Sequence, residues 1–225
     1  MKRIPIVLGL AAALSLGSAI AQSSKPTKDS VVQIIQAWPK DAQHTAQKML
    51  DKYGAPNEAT PTQLTWFNNG PWKRTIVQKE EIDHKFPMPH KDVMEQVIDY
   101  KVPPEKLAEL AQYDGSVYID RTRGEISARC GMEEANFLAL NLAHEIITGK
   151  RSVQDARDFY PKAVMAHLQK KPTPYTQKLQ FAAQKDSAFP DKTTVSKDEL
   201  DKATKLKQAM MQEDKEKAAA GGTRK

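Results

Sequence analysis

A single cysteine, Cys130, stands in a chain of 225 residues. One thiol cannot close an intramolecular disulfide, so the fold must hold by packing, and Cys130 is buried, paired with another chain, or reactive. Charge of one sign is also missing as a block. Basic residues alternate with acidic ones, as in KDELDKATK at 197–205, and the net charge is only +6. That pattern reads as solvated surface and excludes the basic stripe of a nucleic-acid footprint. Also missing are the hydrolase elbow, the phosphate loop, the nucleotide fingerprint and the spacing of a zinc cluster. No internal repeat or sustained heptad is present, and no motif implies a cofactor.

What is present first is an export signal. Lys2 and Arg3 form a positive start, Ile4 to Ile20 is apolar, and Ala19-Ile20-Ala21 precedes Gln22 as a small-x-small cleavage site. The apolar run is shorter than the roughly 20 residues of a membrane span. The expectation is a periplasmic or secreted protein, cut near Ala21-Gln22, with no stable membrane span afterwards. Losing Lys2 and Arg3 takes the charge from +6 to +4.

The remainder divides into a polar leader (22–30), a folded region (31–170) and a charged, partly helical or disordered tail (171–225). Val31 to Trp38 reads as a short helix or an arm. Lys40 to Tyr53 carries Ala42, Ala46, Met49, Leu50 and Tyr53 on one helical face, with Gly54 as its stop. Gln63 to Asn68 and Trp72 to Gln78 read as strands around an Asn69-Gly70 turn. Glu80 to Asp92, with Pro87 and Pro89, reads as a loop, and Val93 to Val102 as a third strand. A helix follows over 104–112, opened by Pro104. Val117 and Ile119 share a face, as do Ile126, Ala128 and Cys130, which predicts a hairpin with Gly124 in its turn. Residues 132–148 form the most apolar helix, apolar on nearly every side, and so buried. A last core helix spans 153–170, with a kink or split expected at Pro161. The fold expected is α+β: a mixed or mainly antiparallel sheet of four or five short strands packed on the buried helix.

Candidate site residues are few. Cys130 lies before a helix N-terminus, where a thiol is easily ionised, and could pair with His84, His90, His144 or His167. Alternation instead turns its sulfur toward the core. His84 and His90, in HKFPMPH, could ligate a metal from a stiff loop. Asn141, His144 and Glu145 interrupt the buried helix and could line a polar pocket or act as acid and base. Trp66, Trp72 and Arg74 could form a stacking platform. Asp120, Arg121, Arg123 and Arg129 surround a turn and could meet a partner, although such clusters are ordinarily solvated ion pairs.

Two stretches, NNGPWKRTIV and DRTRGEISARC with the following NFLALNLA, resemble a family of exported bacterial proteins with no assigned activity. The resemblance spans roughly Gln47 to Tyr160 and implies no catalytic residue. The order helix, YGAP, strand, NG turn, strand over Asp41 to Val77 is also similar to the small outer-membrane assembly lipoproteins, whose lipid-attachment cysteine this chain lacks.

The leading expectation is a non-catalytic exported protein that binds an envelope partner or a small ligand. One alternative is a small periplasmic enzyme using Cys130 or His144 and Glu145. Another is metal handling through His84 and His90.

Overall fold

The computed structural model describes residues 25–171 and 173–221, so the export signal expected at 1–21 lies outside the described residues. The elements are α1 (Lys28–Ile35), α2 (Lys40–Tyr53), β1 (Glu58–Ala59), β2 (Gln63–Asn69), β3 (Trp72–His84) and β4 (His90–Asp99). A single 3-10 turn (Pro104–Lys106) leads into α3 (Leu107–Tyr113). Then come β5 (Val117–Asp120), β6 (Glu125–Cys130), α4 (Glu133–Ile147), α5 (Val153–Leu168), α6 (Pro174–Gln177) and α7 (Lys197–Gly221).

The class is α+β, with one antiparallel sheet in the order β1-β2-β3-β4-β6-β5. It has six strands, a two-residue edge strand adding to those legible in the sequence. Strand register puts Leu64, Trp66, Thr75, Val77, Met94, Gln96, Ile98, Ile126, Ala128, Cys130, Val117 and Ile119 on one face. Helices α2 and α4 both pack on that face, α2 over β3 and β4, α4 over β6 and β4. One apolar cluster gathers around α4 and the other around α1 and α2. The opposite face has no helix among the described residues. It is held by cross-strand ion pairs such as Arg74–Glu125 and Arg129–Glu95.

Local chemistry explains the boundaries. Gly70 takes φ +59 in the β2–β3 turn, a conformation that Asn68 also adopts at φ 52. Helix α2 begins without a side-chain cap of its own. Instead the Glu81 carboxylate accepts from the Asp41 and Ala42 amides at 3.0 and 3.3 Å, satisfying two free donors at the positive end of the helix.

Two expectations need correction. The loop expected at 80–92 is mostly strand, because β3 continues to His84 and β4 starts at His90. The prolines occupy only the turn, where no ladder hydrogen bond is required of them. The pairing shifts between Val77 and Ile82, so the end of the β3–β4 hairpin extends past the irregularity as a short finger. Of the kink or split expected at Pro161, the split is absent: α5 runs from Val153 to Leu168 with the proline inside it. Buried Ala156, Tyr160, Ala163 and Val164 hold both halves against the core, which offsets the lost intrahelical bond.

After α5, residues 173–191 lie along the domain as a strap. Gln184 donates its amide to the Asp99 carbonyl, and Phe189 donates to the Arg121 carbonyl, both at 3.0 Å. The whole outer run of α7 from 197 to 219 is exposed.

Candidate functional site

The finger of the β3–β4 hairpin brings together the groups with chemistry. Register pairs His84 directly with His90, and Ile82 with Asp92. Residues 90 and 92 are two apart on one strand, so they share a face with His84 across the ladder. The two imidazole centroids are 4.9 Å apart. Asp92 is buried at 4% exposure, and its two oxygens are turned to the two imidazoles. His90 Nε2 lies 3.1 Å from Oδ1, and His84 Nδ1 lies 3.4 Å from Oδ2.

The turn after α3 adds two groups from the body of the domain. Ser116 Oγ donates to Asp92 Oδ2 and is 3.2 Å from His84 Nδ1. Asp114 Oδ1 accepts the Ser116 amide at 2.8 Å and faces His84 Nε2 at 3.6 Å. Burial pushes the Asp114 carboxyl above its ordinary value, despite that amide and the nearby His84. Asp92 raises the His90 imidazole to about 11, with Cys130 beside the ring adding to the effect.

A pocket of about 370 Å³ opens beside this cluster, between α2, the hairpin finger, α4 and α5. Met88, Met132, Tyr160 and Val164 make it largely apolar. His90 and Cys130 form part of its wall, and Lys48 stands at its rim. Cys130 is 6% exposed and unpaired. Of the four histidines considered as its partner, only His90 reaches this pocket. Both of its ring nitrogens already have partners: Nδ1 is 2.8 Å from the Met88 carbonyl, and Nε2 faces Asp92. Neither nitrogen is left to take the thiol proton, so the arrangement is not that of a nucleophile and its base.

The other candidate residues hold structure together. Asn141 donates to the carbonyls of Tyr175 and Lys178 at 3.0 and 2.8 Å and accepts from the Gln180 amide at 2.7 Å, which clamps the strap to α4. His144 Nδ1 meets the Tyr100 hydroxyl at 2.8 Å, and its ring stacks on Phe181 at 4.4 Å. Glu145 accepts from Arg151 at 2.6 Å and from the Tyr175 hydroxyl at 2.5 Å.

Trp66 and Trp72 are buried, their indole N–H groups given to the Gly54 carbonyl and to Glu133, so their faces belong to the core. Arg74 makes two bonds to Glu125, at 2.9 and 2.6 Å, on the helix-free face of the sheet. The turn charges are divided among neighbours. Asp120 accepts the Arg123 amide, Arg121 pairs with Asp191 on the strap, and Arg129 lies over the Tyr118 ring.

Sequence reasoning found His84 and His90 but missed Asp92, Asp114 and Ser116. The signal for Asp92 was its spacing of two from His90, which places them together only if the segment is a strand. Comparison of the chain with family models, with curated proteins and with solved structures returned no match.

Proposed function

We propose that this is an exported, non-catalytic binding protein whose ligand is a small, largely apolar molecule. The observation that carries this reading is the 370 Å³ pocket at the hairpin finger. Its volume falls within the range of small-molecule sites, and its walls are apolar with a few convergent polar groups. Lys48 at the rim suits an anionic end on the ligand. The polar residues elsewhere that could have formed an acid/base site are engaged in holding the strap and the sheet. The export signal at 1–21 supports the compartment.

The test uses protein labelled at methionine methyls and titrated with octanoate, benzoate, octylamine and octanol in turn. Saturable shifts of the Met88 and Met132 methyls are expected with at least one of these, octanoate binding best. Val164→Phe, which fills the pocket, should remove the shifts while leaving the fold intact. If none of the four moves either methyl, the pocket reading fails. Mass spectrometry of the exported protein should give Gln22 as its first residue, and an intact Met1 end would overturn the export reading.

A further inference from the structure

We infer that His84, His90 and Asp92 form a binding site for one divalent transition-metal ion. The observation behind it is the convergence of three residues. His90 Nδ1 meets the Met88 carbonyl at 2.8 Å, which turns Nε2 toward Asp92 Oδ1 at 3.1 Å. His84 Nε2 lies 3.6 Å from Asp114 Oδ1, and Nδ1 faces Asp92 Oδ2 at 3.4 Å. Ser116 donates its hydroxyl proton to Asp92 Oδ2. A metal ion takes the deprotonated form of its ligands, so an ion held here would displace the proton shared between His90 and Asp92.

The dimensions fit. The donor atoms of the three residues lie within 4.8 Å of one another. Metal–ligand bonds of about 2.0–2.1 Å at tetrahedral angles place neighbouring ligands roughly 3.3 Å apart. His90 Nε2 lies 3.1 Å from Asp92 Oδ1, and His84 Nδ1 lies 3.4 Å from Oδ2 of the same carboxylate. Each prospective ligand is also oriented from behind. His90 is held by a backbone carbonyl, His84 by a carboxylate and Asp92 by a hydroxyl, and these are the partners that fix ligand tautomer and direction in metal sites. Two imidazoles and one carboxylate favour zinc, cobalt, nickel or copper over calcium or magnesium, which take oxygen ligands. Three protein ligands leave at least one position open, on the side where His84 and His90 keep 17% and 24% of their side-chain surface.

The site is separate from the pocket reading. It shares only His90 with it, and its readout is the metal rather than the methyl groups. Untagged protein stripped with EDTA is titrated with Co²⁺ alone, followed by visible absorption, and then with Zn²⁺ in competition. One equivalent of Co²⁺ with the intense bands of a low-coordinate site is expected, displaced by Zn²⁺. His84→Ala and His90→Ala should each weaken binding about 100-fold, and Ser116→Ala about 10-fold, as an outer partner does. Asp92→Asn should abolish binding yet keep the fold, because the new amide can donate to His90 Nε2. Asp83→Asn, an exposed carboxylate on the same finger, should bind as wild type. Folded protein that retains no Co²⁺ overturns the inference. Binding unchanged in Asp92→Asn, or in the His84→Ala/His90→Ala double variant, overturns it equally.

Discussion

At the scale of single residues, Glu133 organises the interior. It is 4% exposed and accepts from Trp72 Nε1 and the Tyr53 hydroxyl at 2.6 Å, from Gln96 Nε2 at 3.1 Å, and from Lys52. Asn136 extends the network by donating to Gln96 Oε1 at 3.1 Å. Removing the carboxylate strands buried donors that cannot reach water. Glu133→Ala should therefore cost about 3–5 kcal/mol by urea denaturation, and Glu133→Gln clearly less, because one acceptor remains. Burial opposes the charge on Glu133, but the hydrogen bonds from Lys52, Tyr53 and Trp72 outweigh it and hold its pKa below the ordinary 4.5. A depressed carboxyl contributes stability that is complete above pH 4.5 and lost as pH falls through the folded value. Stability measured against pH should therefore drop on the acid side of pH 4.5, and the drop should be shallower in Glu133→Gln. From the sequence, Glu133 was legible only as an acid in a first helical turn. Lys52 and Tyr53 lie 81 and 80 residues away in the chain, a distance that no local pattern encodes.

At the scale of elements, α2, α4 and the β5–β6 hairpin were legible because each carries its own periodicity and its own stop. The β3–β4 finger was not. Pro87 and Pro89 argue for a loop, yet they need only the few residues between His84 and His90. Asp114 and Ser116 were beyond reach because they come to the finger from another turn.

The strap was hidden for a different reason: the groups that hold it, Asn141, His144 and Gly124 among them, are distant from it in the chain. A Cβ on Gly124, at φ +68, would lie 2.1 Å from the Ser187 carbonyl carbon. Gly124→Ala should cost at least about 1–2 kcal/mol from the left-handed backbone alone. It should also lift the strap, seen as new protease cleavage between 183 and 191. His144 supplies a pH dependence. Burial, reinforced by Lys150 and opposed by Glu145, holds its imidazole below the ordinary 6.5. The neutral ring is thus the one that meets Tyr100 and stacks on Phe181, and its contribution is lost as pH falls below 6.5 through the folded value. Amides of 179–184 should exchange faster there, after correction for intrinsic rates, and His144→Phe should remove the pH dependence.

At the scale of the whole molecule, the α+β class followed from alternation and helical period, whereas the strand order did not. Strand β6 sits inside, between β4 and β5. Helix α7 contributes nothing to the packing: Leu200, Leu206, Met210 and Met211 are 48–66% exposed. A chain ending at Lys192 should keep its melting temperature, with calorimetry as the measure, and a fall of several degrees would mean that α7 packs on the domain.

The two ends of the sheet matter in a further respect. One border strand has two residues and the other four, so little free backbone is offered to an incoming chain. Borders this short are poor templates for strand-to-strand pairing, the usual route to fibrillar aggregation and to recognition by strand addition. The open part of the sheet is instead its helix-free face, where exposed Tyr118 and half-buried Arg74, Glu95 and Arg129 surround buried Glu125, and it presents side chains and not main chain. A partner docking on that face would meet side chains, and charge and shape would select it.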